Sequence, residues 1–135
     1  MIEHEERGRA VVANGDLRRL RDRLGLTRTA MAELLHTSTL TYTGWESRPD
    51  RTLWPSTAER IGRFYTQAER ALNELDEDLG ELLPFYLAAT YAGLPQEILL
   101  RFYREGKVLG VDLGILGLWL HRDDLGKLSL DQDFE

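Results

Sequence analysis

Residues 17–46 read LRRLRDRLGLTRTAMAELLHTSTLTYTGWE, and this stretch decides how the N-terminal half of the chain folds. Leu17, Leu20 and Leu24 recur at the spacing of one helix face, and the Gly25 that follows favours the end of that helix. Two further short helical patterns follow within the same stretch. The sequence therefore predicts a group of short helices here rather than one long helix.

Capping residues set the expected starts of these helices. Asn14 or Asp16 can begin the first helix, because a side-chain oxygen there can accept a hydrogen bond from a free backbone N–H group. Thr27 and Ser38 can begin the second and third helices in the same way, and Pro49 prevents the third from continuing. The residues expected to face inward are Met31, Ala32, Leu34 and Leu35 in the second helix, and Tyr42 and Trp45 in the third.

The third helix also carries a face of small and apolar residues. This face, opposite Tyr42 and Trp45, consists of Thr39, Leu40, Thr43 and Gly44. Such a face has no obvious role in a core, but it suits a helix in the major groove of DNA, where threonine and leucine can meet thymine methyl groups. A glycine inside a helix costs about 1 kcal/mol relative to alanine. Close approach to DNA would explain Gly44, and so would fraying of the helix end.

The register of these residues resembles the Cro/C1-type helix-turn-helix family of phage repressors over about residues 16–70. Three features carry the resemblance: the Gly25-Leu26-Thr27 sequence, the small Ala32 four residues after Arg28, and the Trp45-Glu46 pair that ends the third helix. Ala32 also fits the close crossing of two short helices that such a motif requires.

The resemblance implies double-stranded DNA as the partner. It places Arg28 at a phosphate-binding position at the start of the second helix, and it implies an ion pair between Arg21 and Glu46 that is structural. The chain departs from the family at His36 and Thr37, where glycine and valine are usual. The DNA-binding residues expected in this half are Arg28, Ser38, Thr39, Leu40, Thr41, Thr43, Gly44 and Arg48.

A different pattern begins near Pro84. Residues 85–92 and 96–105 are predicted helices around a turn at 93–95, and Gly106 ends the second. Residues 108–113 and 118–121 are strand-like around a turn at 114–117, and a short helix is expected to start at Asp123. Residues 84–127 resemble the winged helix-turn-helix modules of excisionase and MerR-type proteins.

This second resemblance implies a second DNA-reading surface. Its expected DNA-binding residues are Gln96, Glu97, Arg101, Arg104 and Lys107. Arginine can contact phosphates or guanine edges, and a lysine at the base of the wing can meet the backbone. Alternatively these are solvated charges on a capping domain, in which Leu116, Leu118 and Trp119 form core or a partner surface.

A long helix is predicted between the two modules. Ser56 to Glu59 form a capping box, and the helix is expected over 56–80 with Gly80 as its end. A heptad seam runs through Ile61, Tyr65, Ala68, Leu72, Leu75 and Leu79. This seam either covers the two modules or forms a dimer coiled coil. As a rigid spacer, residues 56–79 would span roughly 36 Å, about one turn of DNA.

The charge of the chain is unevenly distributed. The 135 residues carry a net charge of -6, yet residues 1–70 hold 12 Arg against 10 acidic residues. Residues 71–83 hold five acidic residues and no basic residue. Local charge, rather than the total, steers a protein toward phosphate. The acidic total is therefore compatible with binding to DNA.

Several function classes find no support in the sequence. The chain has no cysteine and no apolar run long enough to span a membrane, and residues 1–9 do not resemble a signal peptide, so we expect a cytoplasmic protein. His4, His36 and His121 lack metal-ligand spacing and are expected on the surface. Asp123 and Asp124 fit a helix start better than a catalytic pair. We therefore expect no enzyme activity, metal or cofactor.

Together these patterns predict a mainly α fold: an N-terminal helix-turn-helix bundle, a long linker helix and a C-terminal winged helix-turn-helix with a small β-hairpin. The expected segments are an arm (1–13), a DNA-binding domain (14–55), a linking helix (56–80), a second module (84–127) and a tail (128–135). The resemblance implies an immunity repressor of an actinobacterial temperate phage that occludes an early promoter.

Two questions of partner stay open at this level. We expect a monomer on an asymmetric operator, with a homodimer through residues 56–79 as the alternative. Two other functions are compatible with these patterns. The first is a bacterial regulator or antitoxin of the same fold, whose second module binds a protein. The second is a purely structural interaction module built on the heptad helix.

Overall fold

The computed structural model describes residues 2–132, with side chains described for residues 3–128. It is mainly helical, with one small antiparallel sheet of three strands. The chain divides into two compact units, one up to Arg70 and the other from Ala71. Among the described residues, no helix is both long enough and apolar enough to cross a membrane.

The first unit is built from helices. They are α1 (Ile2–Ala13), α2 (Asp16–Leu24), α3 (Arg28–Leu34), α4 (Thr39–Ser47) and α5 (Pro55–Asn73). Their shared core contains Leu17 from α2, Met31 from α3, Tyr42 from α4 and Ile61 from α5, each of them buried. The rings of Tyr42 and Trp45 meet edge to face with centroids 5.9 Å apart. Burial of these side chains orients α4 within the unit.

The predicted caps of α3 and α4 are confirmed. Thr27 Oγ1 accepts a hydrogen bond from the Ala30 N–H group at 3.1 Å, and Ser38 Oγ accepts one from the Thr41 N–H group at 3.1 Å. Before α2, Asn14 Oδ1 accepts from the Asp16 N–H group at 2.9 Å. Side-chain caps therefore set where α3 and α4 begin, whereas the N-cap of α2 is Gly15, which makes no side-chain capping bond, so neither Asn14 nor Asp16 is the N-cap that the sequence predicts.

Two left-handed residues shape the turns around α3. Gly25 ends α2 at φ 68°, as the sequence predicts. His36 lies in the turn between α3 and α4 at φ 56°, and it is the one non-glycine residue with positive φ in the described part of the chain. A side chain in this conformation costs roughly 1–2 kcal/mol. Histidine at this position, where the resembled family usually has glycine, therefore strains the backbone.

The N-terminal segment is a helix, so the expected arm over 1–13 is corrected. Helix α1 contacts α5 through two glycines. A Cβ atom on Gly8 would lie 1.8 Å from the Ala58 carbonyl oxygen, and one on Gly62 would lie 1.9 Å from the His4 carbonyl oxygen. The two helix backbones are in contact here. The many charged residues of α1 give no indication of this packing in the sequence.

Helix α5 is shorter than the predicted helix over 56–80. It ends at Asn73, so its 19 residues span about 28 Å rather than 36 Å. The end of the heptad seam, Leu75 and Leu79, lies beyond the helix. Ile61 and Ala68 are fully buried within the single chain, so the seam is not the continuous exposed stripe that a coiled coil requires.

The second unit combines a small sheet with three helices. Its elements are β1 (Leu82–Pro84), α6 (Phe85–Ala92), α7 (Gln96–Arg104), β2 (Gly110–Asp112), β3 (Leu118–His121) and α8 (Arg122–Gln132). The strand order is β1-β3-β2, with β3 antiparallel to both neighbours. Both predicted helices and the hairpin are present, whereas β1 is an additional strand. The expected tail over 128–135 is corrected for residues 128–132, because α8 continues to Gln132 and Leu128 is buried, and residues 133–135 lie outside the described part of the chain.

The apolar hairpin of this unit belongs to its interior. Leu116 and Trp119 are 4% and 2% exposed, and Trp119 Nε1 donates a hydrogen bond to the Leu116 carbonyl oxygen at 3.1 Å. Leu118 is half-buried. Since Leu116 and Trp119 are already covered, neither offers a free surface to a partner.

Candidate nucleic-acid interface

Helix α4 presents one exposed face to solvent. Leu40 is 83% exposed, Thr39 and Thr41 are exposed, and Thr43 and Gly44 are half-buried. The opposite face holds the buried Tyr42 and Trp45. Leu40 is thus the large apolar side chain that this helix leaves in water, while its other side is fixed in the core.

Hydroxyl groups at the start of α4 are bonded to one another. Ser38 Oγ donates to Thr41 Oγ1 at 2.9 Å, in addition to capping the helix. Thr39 Oγ1 donates to Thr29 Oγ1 at 3.3 Å, which joins the first turns of α4 and α3. The structure thus brings the predicted residues Ser38, Thr39 and Thr41 together at one exposed end of the helix.

Glu46 anchors the other end of α4. Arg21 Nε lies 2.7 Å from Glu46 Oε2, and Arg21 Nη2 lies 3.1 Å from Oε1. The Glu46 side chain is only 3% exposed and that of Arg21 14%. This paired, two-point geometry is the strong form of an arginine–carboxylate contact. The predicted structural pair is confirmed.

The position expected to bind phosphate is shared with this pair. Arg28 Nε also donates to Glu46 Oε1, at 3.1 Å, while the Arg28 side chain stays 45% exposed. The sequence suggested that Arg28 is a free cation. In the structure it is instead a second partner of the Glu46 carboxylate. Its exposed part remains at the surface beside the start of α3.

The electrostatics of this cluster follow from burial and pairing. Burial is the largest single influence and acts to raise the pKa of Glu46, but Arg21, Tyr42 and Arg28 together outweigh it and hold the pKa below its ordinary value. The hydrogen bond to Glu46 raises the pKa of Arg21. Burial, with the nearby Glu46 carboxylate, raises the pKa of Tyr42. The cluster stays charged at Arg21 and Glu46 and neutral at Tyr42 near neutral pH.

A cation that the sequence reasoning missed lies on the exposed face of α4. The Arg51 guanidinium lies against Gly44, where a Cβ atom would be 3.5 Å from Arg51 Nη1. The predicted Arg48 is exposed just after α4, and its N–H group donates to the Gly44 carbonyl oxygen. Gly44 and Arg51 are separated by a turn, so the contact between them depends on how the chain folds after α4.

The predicted residues of the second unit lie on or just after α7. Gln96, Glu97, Arg101 and Arg104 are all exposed on this helix. Lys107 follows it, with Nζ 4.8 Å above the centre of the Phe102 ring and 3.7 Å from Glu105. The helix thus presents two arginines and one carboxylate, with a partly neutralised lysine after it.

The chain just before β2 is held by a side chain of α8. The Leu109 N–H group donates to Asp124 Oδ2 at 2.9 Å, and the Leu109 side chain is 63% exposed. Asp124 was expected only to favour a helix start. In addition, its carboxylate fixes the chain just before β2, where the Leu109 side chain is exposed.

The histidines are not grouped with other metal ligands. His36 is exposed, while His4 and His121 are half-buried, and His121 Nε2 lies 3.0 Å from Glu77 Oε2. Within residues 2–132, no cluster of three or more histidine or acidic side chains could hold a metal ion. Comparison with family models, curated proteins and solved structures finds no match to this chain.

Proposed function

We propose that this protein is a sequence-specific, double-stranded DNA-binding transcriptional repressor. In this proposal α3 and α4 are the two helices of a helix-turn-helix, joined by the four residues from Leu35 to Ser38. The exposed face of α4 carries the proposal. It sets Leu40, 83% exposed, beside hydroxyl groups on a helix that Tyr42 and Glu46 fix to the core.

The chemistry of that face suits the major groove. Leucine and threonine methyl groups can pack on thymine methyl groups, and hydroxyl groups can bond to base edges or phosphates. Two arginines, Arg28 and Arg48, are exposed at the ends of the same helix pair. They supply the positive charge that phosphate binding needs, although the whole chain is acidic.

The second unit is proposed as a winged module that binds the same DNA. Helix α7 would be its reading helix, with Arg101 and Arg104 toward DNA, and the β2–β3 hairpin would be its wing. The chain would bind an asymmetric operator as a monomer, since two different modules read two different half-sites. With α5 ending at Asn73, this no longer rests on a rigid helical spacer of 36 Å.

The biological role that fits this proposal is repression of an early promoter by a temperate phage in the host cytoplasm. Occupation of the operator would block polymerase and give immunity to superinfection. This part of the proposal rests on the resemblance of the two modules to phage regulators, and on the α4 face that would read the operator.

A second candidate is a regulator or antitoxin whose second unit binds a protein. Two exposed apolar side chains in that unit favour it: Tyr91 is 55% exposed and Leu109 63%. Glu97, on the same helix as the two arginines, would also be unfavourable near phosphate.

The direct test is selection of bound duplexes from a random-sequence pool, followed by a salt series on the selected site. We expect one enriched asymmetric motif, and a steep fall of log affinity with log salt. Light scattering of the complex should give one protein per duplex. An absence of enrichment would contradict DNA reading, and two proteins on a palindrome would contradict the monomer.

A further inference from the structure

Gly44 lies on the exposed face of α4, one turn after Leu40. Residues four apart share a face of a helix, so Leu40 and Gly44 are neighbours there. The space above Gly44 is not open, because Arg51 Nη1 lies 3.5 Å from the position of a Cβ atom. A guanidinium thus covers the part of the helix where the sequence suggested that DNA would approach the bare backbone.

The backbone after α4 brings Arg51 to this position. The Arg48 N–H group donates to the Gly44 carbonyl oxygen at 2.9 Å, and the Arg51 N–H group donates to the Arg48 carbonyl oxygen at 3.0 Å. These two bonds form consecutive turns that reverse the chain at Pro49 and Asp50. The side chain of Arg51 therefore returns along the helix that it follows.

The guanidinium of Arg51 is available for a ligand. Arg51 is exposed, and it forms no ion pair with another described side chain. Arg21 and Arg28, in contrast, both bind Glu46. Among the described residues Arg51 thus has no ion-pair partner, and its guanidinium, a planar fork of donors, lies against Gly44 in the middle of the exposed face.

We propose that Arg51 is a specificity-determining residue that reads a guanine base in the major groove, next to the base pair that Leu40 contacts. This inference rests on the proposed function. Arginine forms paired hydrogen bonds with guanine O6 and N7, the commonest specific contact in the major groove. A phosphate contact would be expected from the flank of α4, whereas Arg51 lies against its exposed face. Gly44 then provides the room for the guanidinium rather than for the DNA.

The proposal predicts different effects on the Arg51 guanidinium for small and large side chains at position 44. In Gly44→Ala the new methyl group meets Arg51 at an ordinary van der Waals distance, so the guanidinium keeps its place. In Gly44→Leu the longer side chain takes the space of the guanidinium. Alanine and leucine are both good helix formers, so both variants should fold at least as well as the parent chain.

The experiment is selection from a random-sequence duplex pool with the full-length protein and with Arg51→Ala, Gly44→Ala and Gly44→Leu. We expect the parent chain and Gly44→Ala to require guanine at one position of the motif. Arg51→Ala and Gly44→Leu should lose that preference and bind the parent site about 10- to 100-fold more weakly, with nonspecific affinity little changed.

Other outcomes overturn the inference in distinguishable ways. An equal loss by Arg51→Ala on selected and random duplexes, with a salt slope lower by about one, would make Arg51 a phosphate contact. An unchanged motif in Arg51→Ala would remove it from the interface. If the parent chain enriched no motif, the proposed function itself would fail, and this inference with it.

Discussion

Arg21 donates two hydrogen bonds to Glu46, at 2.7 and 3.1 Å, and so joins α2 to the end of α4 across 25 residues of sequence. The Glu46 side chain is almost completely buried, so this contact fixes the rotation of α4 about its own axis. That rotation decides which residues face solvent. The predicted interface therefore depends on a pair that would not itself touch DNA.

Arg21→Ala should strongly destabilise the first unit. It leaves the buried Glu46 carboxylate with Arg28 as its remaining cation, and removal of one partner of a buried pair costs about 3 kcal/mol or more. Arg28→Ala is the matched control. Its side chain is 45% exposed, so its removal should cost about 0–1 kcal/mol. Urea denaturation of the three proteins measures both values, and equal losses would contradict the assignment of Arg21 as the main partner.

The same pair predicts an acid-sensitive fold. The folded pKa of Glu46 lies below its ordinary value of 4.5, so the stabilisation is fully present above that pH and is lost as the pH falls through the folded pKa. We expect the free energy of unfolding to drop more steeply below pH 4.5 in the parent chain than in Glu46→Gln. Parallel pH profiles in the two proteins would show that Glu46 does not carry this dependence.

His36→Gly should stabilise the chain. His36 occupies a left-handed turn at φ 56°, and glycine adopts this conformation without a Cβ penalty, so we expect a gain of about 1 kcal/mol. His36→Ala keeps the Cβ atom and is the control, for which we expect no gain. Thermal unfolding followed by circular dichroism compares the two. A gain by alanine equal to that of glycine would mean that the histidine ring, and not the backbone, is unfavourable.

Leu40→Ala should weaken specific DNA binding and leave folding unchanged. The side chain is 83% exposed in the free protein, so its loss removes no core contact. On the selected site we expect a loss of up to about 50-fold, because leucine has about three more carbon groups than alanine and each contributes roughly 0.8 kcal/mol when it is buried. Leu109→Ala removes an exposed leucine from the second unit and is the control. Fluorescence anisotropy with labelled duplex gives both affinities, and a larger loss in Leu109→Ala would move the main apolar contact to the wing.

Arg101→Ala/Arg104→Ala tests the second unit directly. If both arginines contact phosphates, the slope of log affinity against log salt should become shallower by about two, since each contact contributes about 0.9. The control is Arg18→Ala/Arg23→Ala, which removes two exposed arginines of α2 outside the proposed interface. An unchanged slope in Arg101→Ala/Arg104→Ala, with normal stability, would favour a protein partner for this unit.

Much of the local structure follows from the sequence because single residues determine it. Thr27 and Ser38 begin their helices through their own hydroxyl groups, and Gly25 and Gly93 end theirs in the left-handed conformation. The alternation of glycine, proline and apolar runs in the second unit likewise predicts its helices and hairpin. Such signals act within four residues and need no knowledge of the rest of the fold.

The features that the sequence reasoning missed depend on contacts between distant residues. Helix α1 packs through backbone at Gly8, which leaves no apolar stripe to find, and β1 pairs with a strand more than thirty residues later. The spacing of leucines continues to Leu79, although α5 has already ended at Asn73. The position of Arg51 on α4 depends on the turn at Arg48 and on the space that Gly44 provides.

The close contact of α1 and α5 at Gly8 and Gly62 predicts which mutations a genetic screen would recover. A Cβ atom at Gly8 or Gly62 would overlap a carbonyl oxygen of the facing helix, so every substitution at either position should abolish function. If the proposed function holds, a screen for loss of repression would collect these mutants together with those at the proposed DNA-binding surface. Tolerance separates the two classes: Gly8 and Gly62 should accept no other residue, whereas Leu40 should accept many and change the sequence that the protein prefers.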